Sequence, residues 1–144
     1  STLEEMSTGS FREVIADESV TAKQVDTVVL CSGKVYYDIL EQKEKRAAGN
    51  TMAVVRVEQL YPLPEKRIRE VIAGYGKNAK LIWAQEEPEN MGAWSYMLRT
   101  LRDLNLTIIS PAASASPATG SPKVHEKRVT AMMDRLFESS AVKA

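Results

Sequence analysis

The stretch Val28-Val29-Leu30-Cys31-Ser32-Gly33-Lys34-Val35-Tyr36-Tyr37-Asp38-Ile39-Leu40 changes its hydrophobic period part-way along. Its first four residues are an unbroken apolar run, as a strand covered on both faces requires. Ser32-Gly33 supplies a turn, and Val35, Tyr36, Ile39 and Leu40 then recur at helical spacing until the charged stretch Glu41 to Arg46 and the Gly49-Asn50 break. The same switch repeats downstream. Met52 to Val57 reads as a second strand, Pro62 and Pro64 punctuate the loop after it, and Ile68, Val71, Ile72 and Tyr75 mark a second helix stopped by Gly74 and Gly76. Leu81 to Ala84 is a third strand. Trp94, Met97, Leu98 and Leu101 give a third helix, Leu106 to Ile109 a fourth strand, and Val129, Met132, Met133, Leu136 and Phe137 a final helix. Strands alternating with helices predict an α/β fold of three layers, a mostly parallel sheet with helices on both faces and right-handed crossovers.

Residues 26–140 read as one α/β domain, with residues 1–25 as an amino-terminal arm linking to an upstream domain and 141–144 as a tail. Within the arm, Phe11, Val14 and Ile15 suit a short helix or a segment that docks on another domain. The absent initiator methionine suggests a piece of a longer chain. With 144 residues and 44% hydrophobic content, the chain can bury a core of ordinary size. Lys plus Arg and Asp plus Glu are both 19, so no global field favours nucleic acid or an anionic membrane. A single cysteine, Cys31, excludes an internal disulfide framework and suits a reducing compartment, and no apolar run approaches a membrane span. The expected setting is cytoplasmic.

In an α/β protein, ligands and partners meet the loops that leave the carboxyl ends of the strands. The densest such loop is Gln85-Glu86-Glu87-Pro88-Glu89-Asn90-Met91-Gly92-Ala93-Trp94, with three carboxylates, an amide and a proline in six residues. Asn90 or Gly92 alone would serve as a helix entry, so an interface is expected here; an acidic start that complements the helix dipole is the competing account. The loop Gln59-Leu60-Tyr61-Pro62-Leu63-Pro64-Glu65-Lys66-Arg67 puts a proline at a first helical position and two cations in the opening turn. Cations there oppose the dipole by a few tenths to about 1 kcal/mol, which hints at an anionic ligand. A solvated basic face, with Arg69 and Arg56 nearby, explains them equally.

Ser32-Gly33-Lys34 is not a phosphate loop, because Val28 and Val35 stand where that pattern needs a glycine and a hydroxyl. His125 is the only histidine and has no ligand set or triad partner by spacing, so neither a metal site nor a catalytic residue is assigned. Its expected role is structural. Ser110 to Pro122, all small residues and turn formers, is expected to be a loop.

Four of these segments, CSGKVYYD (31 to 38), VRVEQLYPLP (55 to 64), WAQEEPENMGAW (83 to 94) and ASASPATGSPKVH (113 to 125), together resemble the carboxyl-terminal domain of 2-oxoglutarate dehydrogenase. The match runs in order over residues 10 to 138 and implies a transketolase-like third domain. The enzyme of that family decarboxylates 2-oxoglutarate on thiamine diphosphate with magnesium and passes the succinyl group to a lipoyl succinyltransferase, a step of the tricarboxylic acid cycle. The resemblance implies a homodimer and contacts with upstream domains of the same chain; the acidic loop, with Glu86, Glu87, Asn90 and Trp94, is the interface candidate. The thiamine signature, Gly-Asp-Gly followed by Asn, is absent from the sequence. The piece alone is therefore expected to be inactive. In some members the domain helps bind an acyl-CoA activator, which the resemblance places at Gln59, Lys66 and Arg67 with Arg12 contributing. The equivalent domain of another transketolase-like enzyme and a stand-alone anion- or nucleotide-binding module are the alternatives.

Overall fold

The computed structural model describes residues 10–46 and 51–141, with side chains to 138; the Gly49-Asn50 break and residues 1–9 and 142–144 lie outside them. Five strands, β1 (Val14–Ile15), β2 (Thr27–Cys31), β3 (Met52–Val57), β4 (Lys80–Ala84) and β5 (Thr107–Ile109), alternate with α1 (Val35–Lys45), α2 (Glu65–Ala73), α3 (Trp94–Thr100) and α4 (Pro122–Ala141). The order across the sheet is β1-β3-β2-β4-β5. All pairs are parallel except β1 with β3.

Every residue of β2 and β3 is buried, because helices cover both faces. Val28, Leu30, Ala53, Val55 and Trp83 point to the face under α2 and α3, where Ile68, Val71, Met97 and Leu101 meet them. Val29, Cys31, Met52, Val54 and Ile82 point to the opposite face, against Val35 and Ile39 of α1 and Met132, Met133 and Leu136 of α4. The period-2 alternation of the strands thus feeds two cores, and each fully buried aliphatic side chain contributes about 1.5–3 kcal/mol. The three-layer α/β architecture read from the sequence is present. Burial pushes the Cys31 thiol up to about 12, with the Arg56 charge pulling the other way. At neutral pH it is an inert core residue.

Residues 14–15 form an edge strand rather than the helix considered from sequence; two residues are too few for periodicity to reveal. Val14 and Ile15 pair with Val57 and Arg56. One step further, Asp17 replaces backbone pairing with its side chain: Val54 N–H donates to Oδ2 at 3.0 Å, and Lys43 Nζ lies 3.4 Å from the same oxygen. Ser19 N–H and hydroxyl donate to Oδ1. Tyr75, which lies beyond α2 rather than in it, receives the Asp17 N–H on its hydroxyl at 3.1 Å. Burial raises the Asp17 pKa, but the bonds from Ser19 and Val54 and the Lys43 charge outweigh it and hold the carboxyl below its ordinary value. Val14 and Val25 are both core residues. No described helix is long and apolar enough to cross a membrane.

Candidate functional site

The chain runs from β2 outward to β3 and then crosses back to β4 on the other side, so the order reverses between β2 and β4. At such a switch point the loops leaving the two strands diverge and open a crevice. That crevice is present, about 450 Å³, with Ser32, Gly33 and Lys34 after β2 on one side and Gln85, Glu86 and Glu87 after β4 on the other. Leu60, from the loop after β3, also reaches it.

The wall after β4 is built around Gln85, which is only 3% exposed. Trp83 is buried in the core, so its indole N–H needs a partner; Gln85 Oε1 accepts it at 2.8 Å and also accepts the Trp94 N–H at 3.1 Å. The amide Nε2 faces the carbonyls of Glu87, Pro88 and Met91 at 3.2, 3.1 and 2.7 Å. One side chain therefore ties the strand end, the turn and the start of α3 together. A Cβ at Gly92, where φ is +68°, would stand 3.0 Å from Gln85 Nε2, so the glutamine amide would have to shift to admit one. Asn90 exchanges two hydrogen bonds with the backbone of Ser114, and Glu89 N–H donates to Pro111 O at 3.0 Å, so the 110–121 loop is fastened to this one.

The sequence offered Glu86, Glu87, Asn90 and Trp94 as interface residues, and the structure divides them. Trp94 packs against the core under α3 and Asn90 is engaged with Ser114. Glu86 and Glu87 stay on the outside, and neither is in an ion pair among the described residues. Gln85, the residue on which the loop depends, was quoted only as part of the segment. Its signal was an amide directly continuing an apolar strand.

The loop after β3 differs. Gln59, Lys66 and Arg67 share an open depression of about 490 Å³, but Glu13, Glu65 and Glu70 line it too. Arg67 lies 3.3 Å from Glu70, and Gln59 Nε2 donates to Pro62 O at 2.7 Å. Arg12 is not on this wall; it precedes Glu13, which is. Pro64 is the residue before the helix, not its first position. The Tyr61–Pro62 bond is cis. Lys66 and Arg67 are exposed, as a solvated basic face requires, but the two arginines read as their neighbours in it are each engaged elsewhere. Arg56 is 8% exposed, with its guanidinium 4.7 Å from the centre of the Tyr36 ring and 2.9 Å from Glu58, and Arg69 makes a two-pronged pair with Asp103.

His125 and Arg128, on the first turns of α4, line a separate cavity of about 230 Å³ with Glu86 and Glu87. No group of three His, Cys, Asp or Glu side chains is placed to hold a metal ion among the described residues.

Residues 1–137 match the family described as 2-oxoglutarate dehydrogenase C-terminal. The chain is 39% identical over 146 residues to the 2-oxoglutarate dehydrogenase E1 component of Azotobacter vinelandii, covering 95% of this chain and 15% of that protein. It is 38% identical over 144 residues to the 2-oxoadipate dehydrogenase complex component E1 of Rattus norvegicus, covering 96% of this chain and 16% of that one. The chain therefore spans about 15% of the length of these relatives. Its fold is similar to a split-gene transketolase solved as an inactive β4 tetramer, with a TM-score of 0.57 and 18% identity over 83% of this chain and 42% of the other. With four of its segments and its fold agreeing, the chain belongs to the 2-oxoglutarate dehydrogenase C-terminal family.

Proposed function

We propose that this domain is the assembly and regulatory part of a thiamine diphosphate-dependent 2-oxoacid dehydrogenase E1 subunit, acting in the cytoplasm. The parent oxidatively decarboxylates 2-oxoglutarate in the tricarboxylic acid cycle and hands the succinyl group to a lipoyl succinyltransferase. Thiamine diphosphate and magnesium bind outside this domain, which alone is inactive. The observation that carries the assembly role is the preorganised loop after β4. Gln85 fixes its backbone, while Glu86 and Glu87 line the switch-point crevice with no ion pair among the described residues. A rigid, charged rim costs little ordering on docking. Upstream domains of the same chain and the partner of a homodimer are the surfaces it meets.

Substrate choice is the sharper half of the proposal, because relatives acting in 2-oxoglutarate and 2-oxoadipate complexes are about equally similar here. Assaying the full-length parent with both oxoacids and thiamine diphosphate tests it. Turnover of 2-oxoglutarate, lost when residues 10–141 are deleted, is the expected result. Preference for 2-oxoadipate would overturn the substrate assignment, and full activity without the domain would overturn its role.

A second reading concerns regulation. Lys66 opens onto the depression after β3 without an ion pair among the described residues, which supports an acyl-CoA or nucleotide effector there, held by Gln59, Lys66 and Arg67. Calorimetric titration with acetyl-CoA, with Lys66→Glu/Arg67→Glu as the control, tests that site.

A further inference from the structure

Among the described residues, the three most exposed large apolar side chains are Tyr61 at 84%, Phe11 at 70% and Tyr37 at 46%. All three flank the carboxyl end of β3. Glu58 and Gln59 donate their N–H groups to Glu13 O at 2.9 and 3.2 Å, so the amino-terminal arm runs beside the strand end; Phe11 stands two residues before that contact and Tyr61 two residues after it. The Tyr37 ring centre lies 5.7 Å from the guanidinium of Arg56, the last residue but one of β3, and the ring meets Tyr36 edge-on at 5.1 Å. Neighbouring anchors hold the rings out. Leu60 and Leu63 pack against the core on either side of Tyr61, and Gln59 Nε2 closes the turn onto Pro62 O. Val14 is buried three residues after Phe11, while Val35 and Ile39 take the buried face of α1 and leave Tyr37 on its flank.

An aromatic ring buries about 150–250 Å², so these three offer roughly 300–500 Å² at the exposures they have. That area decides the occupant. A free partner or a second copy needs about 800 Å² from each side, whereas domains of one chain meet over about 600–1,500 Å² counted on both sides. A small patch suits a tethered neighbour, because the tether supplies the effective concentration that the contact lacks. The tether also arrives here. Residues 1–9 lead into the described chain at Ser10 and span at most about 30 Å, so they bring whatever precedes them within reach of Phe11. We propose that Phe11, Tyr37 and Tyr61 seat the domain that precedes this one in the same polypeptide, through an apolar surface that receives the two outermost rings. The proposal rests on the reading of this chain as part of a larger E1 subunit, and it adds a contact at the end of β3 to the acidic rim after β4.

Hydroxyl-radical labelling of the full-length parent tests this. Phe11 and Tyr61 should be modified at least roughly tenfold more slowly in the native parent than in the parent unfolded in urea, the slowing that a docked state favoured tenfold would give. Phe11→Ser, at a site too exposed to disturb the core, should remove roughly tenfold of the protection at Tyr61. Replacing Tyr61 in the parent with the photoreactive p-benzoylphenylalanine identifies the occupant. The expected cross-link joins position 61 to residues upstream of Ser1 in the same polypeptide, so it migrates as a monomer on a denaturing gel. Labelling of Tyr61 at the unfolded rate, no cross-link to upstream residues, or a cross-link that joins two copies and migrates as a dimer would overturn the proposal. A parent that prefers 2-oxoadipate would fail the substrate reading and leave this cross-link in place.

Discussion

The loops that follow β3 and β4 leave the same end of the sheet and both lead into helices, but they are held in different ways. After β4, a buried glutamine binds the turn from within, so the backbone is fixed and the carboxylates are left on the rim. After β3, charged side chains of both signs sit around an open depression, and Arg67 and Gln59 are already occupied by Glu70 and Pro62. The difference teaches that residue density has two sources. In the first loop, much of it is spent on internal structure, which leaves two acids on the rim of the crevice; in the second, charges that look like a ligand site largely offset one another.

The sharpest way to break the contrast is Gln85→Ala. It orphans the Trp83 indole N–H and three carbonyl acceptors in a buried setting, so a loss of about 3 kcal/mol is expected, or roughly 10 °C in melting temperature for a domain of this size. Gln85→Glu should fall almost as far, because a carboxylate cannot donate to the carbonyls of Glu87, Pro88 and Met91. A change below 1 kcal/mol, measured by chemical denaturation, would mean the loop is held by something else.

Acid should dismantle the β3 side first. Asp17, whose side chain bonds Val54 N–H and Lys43, has a folded pKa held below its ordinary 3.8. Its contribution is fully present above that ordinary value and is lost as pH falls through the lower folded value. Hydrogen exchange at Val54 should therefore accelerate on acidification well before exchange in residues 85–94. Asp17→Ala should abolish this pH step and cost about 2–3 kcal/mol, since it leaves a buried N–H and Lys43 unpaired.

Gly92→Ala should cost about 1–2 kcal/mol through its positive φ and the close approach to Gln85. Placed in a Gln85→Ala background, where the crowding is gone, the same substitution should cost less; additive losses in a double-mutant cycle would show that the two do not act together. The smallest effect belongs to the β3 side. Lys66→Glu/Arg67→Glu should change stability by no more than a few tenths of a kcal/mol, because the gain with the helix dipole is set against the lost pair with Glu70.

Most of the architecture was legible in the sequence because burial on both faces writes continuous apolar runs in β2 and β3, and helical spacing follows each of them. The β1 edge was not, because two residues carry no period and the strand is completed by the Asp17 side chain, a long-range bond no spacing encodes. Glu86 and Glu87 line the crevice that their place at a strand end leads one to expect. Gln85 was missed as a hub because its partners, Trp83, Met91 and Trp94, are identified only when the turn closes. Arg56 misled for a related reason: a cation near the end of a strand reads as solvated until Tyr36 is seen beside its guanidinium.

The central claim is that the loop after β4 is rigid for its own reasons and presents Glu86 and Glu87 to the rest of the parent enzyme. Mass photometry and turnover of the full-length parent carrying Glu86→Ala/Glu87→Ala, paired with the melting temperature of the isolated chain carrying the same change, test it most directly. The account predicts weakened assembly and activity with the melting temperature unchanged. Intact assembly, or a loss confined to the stability of the isolated chain, would contradict it.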